Sequence, residues 1–173
     1  MRKLSRAKIV IAAAVATMAG AAGTAGLAIA TPASAATATA VYYPLVNDNS
    51  GLCMGVTSSD KVGQYTCVKG SANQQWTFVP AADGEFYIKN KSGYCLYTMS
   101  LDAHSQVYAS PDQCSQTGNF VTWLPNDGPI TANADGADVI GIDAGSMKSG
   151  AQAIIWPYTG VKNQQWYYDG APA

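Results

Sequence analysis

"SANQQWTFV", residues 71–79, and "KNQQWYYDG", residues 162–170, share the tetrapeptide Asn-Gln-Gln-Trp. A tryptophan-bearing string that returns within 173 residues points to internal repetition, and the similarity extends well beyond the four residues. Three segments stack on it. The first, from Tyr43, is "YPLVNDNSGLCMGVTSSDKVGQYTCVKGSANQQWTFV". The second, from Phe86, is "FYIKNKSGYCLYTMSLDAHSQVYASPDQCSQTGNFVTWLP". The third, from Ile130, is "ITANADGADVIGIDAGSMKSGAQAIIWPYTGVKNQQWYYD". Each opens with an apolar strand, turns through Asn, Asp and Gly into a second short apolar run, and closes on a tryptophan: Trp76, Trp123 or Trp166.

The cysteines follow the same frame. Cys67 precedes Trp76 by nine residues, Cys114 precedes Trp123 by nine, and "SGLC" (50–53) matches "SGYC" (92–95). Four cysteines without Cys-x-x-Cys spacing point to two disulfides, with three possible connectivities. The third repeat has Val139 and Tyr158 at the two cysteine places. Their joint replacement favours bonds within repeats, Cys53–Cys67 and Cys95–Cys114. Each would close a loop of roughly 15 to 20 residues, worth about 3 kcal/mol in the chain-entropy model.

Helical periodicity is weak throughout, and runs of strand length alternate with Gly/Asn/Asp/Ser turns. The expected architecture is an all-β body closed by threefold repetition, which removes exposed strand edges. A two-sheet sandwich would not require three units with matched internal spacing. The units are placed at 42–80, 81–126 and 127–170, after a lead-in over 36–41.

The segment before them has a different character. "MRKLSRAKIV" supplies four cations ahead of an apolar run from Ile9 to about Ala30, and "TPASA" ends in Ala33-Ser34-Ala35. That order predicts a secretory signal peptide over 1–35, an exported protein, and no membrane insertion after cleavage. Residues 36–173 contain six Lys, no Arg, ten Asp and one Glu, for a net charge of −5. Without a basic stripe to neutralise phosphates, nucleic acid is not an expected partner. A surface rich in Tyr, Trp, Asn, Gln, Ser and Thr instead suits neutral polar ligands or other proteins. His104, the single histidine, has no companion at metal-ligand spacing, so neither metal nor cofactor is expected. Glu85 is the single glutamate, there is no Gly-x-Ser-x-Gly nucleophile motif, and no spacing sets two carboxylates across a cleft. Catalysis is therefore not expected.

With Gln74-Gln75-Trp76 and Gln164-Gln165-Trp166 closing two repeats, and Trp123 alone kept in the other, the chain resembles the ricin-type β-trefoil family of lectins and carbohydrate-binding modules. The resemblance covers about 42–170. It implies twelve strands, a core holding the three tryptophans, and up to one shallow sugar pocket per repeat. Such a pocket combines an aromatic ring against the C–H face of the sugar, an Asp just after the early cysteine place, and the Asn before Gln-x-Trp. A neutral sugar has one apolar face and a fan of hydroxyls, so a ring plus paired polar groups is the chemistry it needs.

Transferred repeat by repeat, the pattern implies unequal sites. The third offers Trp156, Asn163 and Gln164, with Gly141 at the carboxylate place and Asp143 two residues on, on the same strand face. The first offers Tyr65, Asn73 and Gln74, with Gly55 at the carboxylate place and Asp60 in the following loop as a substitute. In the second, Tyr97 takes the carboxylate place and Asp112 the aromatic place, with Tyr108 four residues off, which reads as non-binding. The family implies a secreted, non-catalytic protein that binds neutral glycan or polysaccharide. One weak site would gain from assembly, which suggests a targeting or cell-surface-recognition subunit with protein partners in a larger secreted assembly such as a toxin complex. The alternative is a protein-binding trefoil with a lost sugar site, serving as an adaptor or protease inhibitor.

Overall fold

A computed structural model describes residues 40–116, 120–125, 128–132 and 136–168. The leader expected over 1–35 lies outside the described residues, as does most of the lead-in. The described chain forms twelve strands joined by loops and short 3-10 turns, four strands to a repeat. The first repeat holds β1 (Tyr43–Asn47), β2 (Cys53–Val56), β3 (Val62–Tyr65) and β4 (Gln75–Pro80). The second holds β5 (Phe86–Asn90), β6 (Cys95–Thr98), β7 (Val107–Ser110) and β8 (Leu124–Pro125). The third holds β9 (Ile130–Thr131), β10 (Asp138–Ile142), β11 (Ala153–Pro157) and β12 (Trp166–Tyr168).

The outer strands of each repeat close a barrel. β1 pairs with β4, β4 with β5, β8 with β9, and β12 returns to β1, all antiparallel. A bridge between Phe86 and Trp123 joins β5 to the approach of β8, and the Trp166 N–H donates to Gly128 O at 2.7 Å beside β9. The inner strands form three hairpins, β2–β3, β6–β7 and β10–β11. Single bridges link them in a ring: Lys61 to Tyr108, Gln106 to Ile154, and Gly63 to Gln152. At their junction Gln106 Nε2 lies 2.9, 2.6 and 2.9 Å from the carbonyls of Val62, Val107 and Ala153, one from each hairpin. This is the threefold all-β closure that the repeats implied, in the β-trefoil form that the family resemblance implied.

The repeated sequence features each have a local cause. Gly51, Gly93 and Gly136, the turn glycines before β2, β6 and β10, all have positive φ (70°, 97° and 72°). A Cβ there would strain the turn, which is why the same residue returns in each unit. The tryptophans are 0%, 1% and 4% exposed for Trp76, Trp123 and Trp166. Burying such a ring removes roughly 200 Å² from water, about 5 kcal/mol as an upper bound. Each indole N–H is satisfied in the same way. Trp76 donates to Met54 O at 3.0 Å, Trp123 to Leu96 O at 3.2 Å and Trp166 to Ile140 O at 2.9 Å. Every acceptor is the residue after the early cysteine place, so the indole ties barrel to hairpin in all three units. The disulfides are Cys53–Cys67 and Cys95–Cys114, spanning 14 and 19 residues.

Candidate functional site

Strand register fixes which residues are equivalent. Across the three hairpins the pairs Cys53–Tyr65, Cys95–Ser110 and Val139–Trp156 correspond, as do Gly55–Gly63, Tyr97–Tyr108 and Gly141–Ile154. The aromatic place therefore holds Tyr65, Ser110 and Trp156. Asp112, which counting back from Cys114 puts there, lies instead in the 3-10 turn Pro111–Ser115 after β7. The turn lengthens the path to the cysteine, so the count slips. The carboxylate place holds Gly55, Tyr97 and Gly141.

The three equivalent positions differ in what fills them. In the first repeat a Cβ on Gly55 would meet Tyr65 Cδ2 at 3.0 Å, because the tyrosine ring lies over the glycine. Burial raises the Tyr65 hydroxyl above the ordinary tyrosine range. Asn73 is exposed, and its Oδ1 accepts from Ser92 Oγ at 2.8 Å. The Asp60 charge raises the hydroxyl of Tyr97 in the second repeat, after the larger effect of burial. In the second repeat Tyr97 and Tyr108 stack across the hairpin, ring centroids 5.6 Å apart, over the place a ligand would take.

The third repeat is open. A cleft of about 370 Å³ is lined by Gly141, Asp143, Ile154, Trp156, Asn163 and Gln164, together with His104. All five residues expected in this repeat converge there. Gly141 and Ile154 face each other, as do Val139 and Trp156, so Gly141 and Trp156 share one face of the ribbon. Without a side chain at 141 the floor stays bare; the atoms nearest a Cβ there would be Gln164 Cγ at 3.2 Å and Asn163 O at 3.7 Å. Asp143 stands just beyond β10, at the head of the 3-10 turn Asp143–Gly145. That turn is pinned by Asn49 Nδ2, which donates to Gly145 O at 3.1 Å, and the Asn163 backbone by Asn47 Nδ2, which donates to its carbonyl at 3.0 Å.

The polar atoms of the cleft are not equally free. Gln164 is fully buried; its Nε2 donates to Pro157 O at 2.8 Å, and its Oε1 accepts from the Thr159 N–H at 2.8 Å and the Thr159 hydroxyl at 3.0 Å. Gln74 does the same work for Thr66 O and the Val68 N–H, at 3.0 and 2.7 Å. Both glutamines therefore brace the loop that follows the hairpin. Asn163 Nδ2 donates to Ile142 O at 2.9 Å, which leaves Oδ1 for a ligand.

His104 is the residue that sequence reasoning missed here. It belongs to the second repeat, in the loop between β6 and β7, and has positive φ (70°). Its N–H donates to Ile155 O at 2.9 Å, which draws the loop across the repeat boundary onto β11. The imidazole then stands edge-on to Trp156 with ring centroids 4.2 Å apart, and its Nδ1 is 3.8 Å from Asp143 Oδ1. A histidine in an inserted loop carries no repeat signal, so spacing could not have assigned it.

The chain matches the family model of the ricin-type beta-trefoil lectin domain over residues 41–166. Curated proteins return no match by sequence. Among solved structures, a designed threefold-symmetric protein, ThreeFoil, is 27% identical with a TM-score of 0.64, over 75% of this chain and 99% of its own. An exo-β-1,3-galactanase from Clostridium thermocellum is also 27% identical, with a TM-score of 0.61, over 76% of this chain but 30% of the enzyme. The ricin B-like lectin of Macrolepiota procera, solved with lactose, is 18% identical with a TM-score of 0.62, over 78% of this chain and 98% of its own.

Proposed function

Since the chain belongs to the ricin-type β-trefoil lectin family, we propose that it acts by binding a neutral saccharide in the third-repeat cleft. The observation that carries this is the open floor at Gly141 between the Trp156 ring and Asn163. The ring offers an apolar stacking surface, and Asn163 Oδ1 and the Asp143 carboxylate offer acceptors for hydroxyls. The first two repeats contribute fold rather than binding, because their own tyrosines fill the equivalent space. The lactose complex of the Macrolepiota lectin, on the same fold, supports a saccharide as ligand class.

Activity in this reading is recognition without catalysis. The cationic, apolar and Ala-Ser-Ala segments over 1–35 support export. A single shallow site of this kind gains affinity through multivalency, which supports a targeting role within a larger secreted assembly such as a toxin complex. The galactanase, in which the matching region is 30% of the chain, is a case where this fold accompanies a further domain. The test is a glycan array probed with the chain lacking 1–35, followed by calorimetric titration with galactose, lactose, xylose and xylo-oligomers. Saturable binding to at least one class supports the reading. Silence at millimolar concentration throughout sinks it and favours a protein-binding trefoil, to be sought by pull-down from the producer's culture fluid.

A further inference from the structure

The cleft's unspent hydrogen-bonding capacity sits at one end. Gln164 is saturated by Pro157 and Thr159, and the Asn163 amide nitrogen by Ile142. Among the described residues, the Asp143 carboxylate has only His104 paired with it, and the imidazole is two-thirds exposed. These two groups come from different repeats and meet beside the Trp156 ring. Resting on the saccharide reading above, we propose that His104 and Asp143 together are the specificity-determining pair, reading the hydroxyls of the sugar stacked on Trp156 from across the repeat boundary. The pair takes over the task for which the carboxylate place, vacant at Gly141, has no side chain.

The chemistry gives the pair a direction. A neutral imidazole offers one donor and one acceptor, and a carboxylate beside it accepts two hydroxyls, which matches a vicinal diol. An imidazolium offers donors only, and at 3.8 Å it draws the carboxylate into an ion pair and away from the ligand. The groups facing His104 are Asp143 from the turn after β10 and Trp156 from β11, which does not titrate. On its own loop, Asp102 is bonded to the Ser100 hydroxyl at 2.7 Å.

The experiment titrates the folded chain and its variants with lactose, galactose and xylose, with thermal unfolding of each variant to confirm the fold. Asp143→Asn and His104→Ala should each bind the parent's best sugar about fivefold more weakly, a change equal to one hydrogen bond. His104→Gln, which keeps a donor and an acceptor, should lie between the parent and His104→Ala. A parent that binds while His104→Ala and Asp143→Asn keep its affinity and its order of preference among the three sugars overturns the pair and leaves the saccharide reading standing. A parent that binds none of the three sugars overturns both.

Discussion

Gln164 donates to the carbonyl of Pro157 at 2.8 Å, bridging the 3-10 turn before the last tryptophan to the end of β11. Gln74 makes the equivalent bond to Thr66. Their amides hold together the rim on which a ligand ring would rest. Gln164→Ala and Gln74→Ala should each cost roughly 1–3 kcal/mol of stability, because a buried amide and its hydrogen bonds to the following loop are lost. Urea unfolding checks this. Unchanged midpoints would show that neither amide braces the fold.

Trp156 is half-buried on β11, with Ile154 and Gly141 sharing its face. Trp156→Ala removes the stacking surface and should weaken sugar binding by tenfold or more, about 1.4 kcal/mol per factor of ten. Trp156→Tyr should keep most of it. Calorimetry with the best sugar from the array distinguishes the two, and equal loss in both variants would argue against stacking.

Gly141→Asp should tighten sugar binding about tenfold by supplying a charged acceptor at the bare floor. The new Cβ would stand 3.2 Å from Gln164 Cγ, which a small shift of that side chain accommodates. Gly55→Asp should give no such gain, since its Cβ would meet the Tyr65 ring at 3.0 Å. The same titration on both variants checks the contrast between open and filled repeats.

Tyr168 lies between Tyr43 and Phe78, and burial, with Tyr43 as a lesser cause, pushes its hydroxyl well above the ordinary tyrosine range. Its neutral form is favoured by the fold, so the contribution is complete below about pH 10 and is lost as pH rises beyond it, where the unfolded chain ionises first. Tyr168→Phe should therefore flatten the alkaline fall in stability. Denaturant titrations from pH 8 to pH 11 measure it.

Repetition made much of this legible. The spacing of Cys67, Cys114 and the three tryptophans carried the threefold all-β closure and both disulfides, since each is a local device copied with its turn, and the family resemblance carried the trefoil. The third-repeat residues Trp156, Asn163 and Gly141 were named through the family resemblance, and Asp143 by a shift of two along the same strand face. Whether a pocket is open was not. The Tyr65 ring could have projected outward as a platform, and only its packing over Gly55 shows that it does not. Ser110 was hidden by the added residues of the 3-10 turn after β7. His104 was hidden by a different cause: it acts on a neighbouring repeat, through contacts that no single unit encodes.

β1 pairs with β12 through Leu45 and Tyr168, Val46 and Tyr167, and Asn47 and Trp166. The strand synthesised first among the twelve pairs early with β2 and β4 of its own repeat, but its other edge is covered only when the strand synthesised last arrives. Hairpins and disulfides can form while the chain is still growing, but the ring stays open along β1 until the end. Closure across so long a loop is slow in entropic terms, and it is rewarded only on completion. The trefoil's cooperativity should accordingly appear as a single late step, after the local structure of all three repeats is in place.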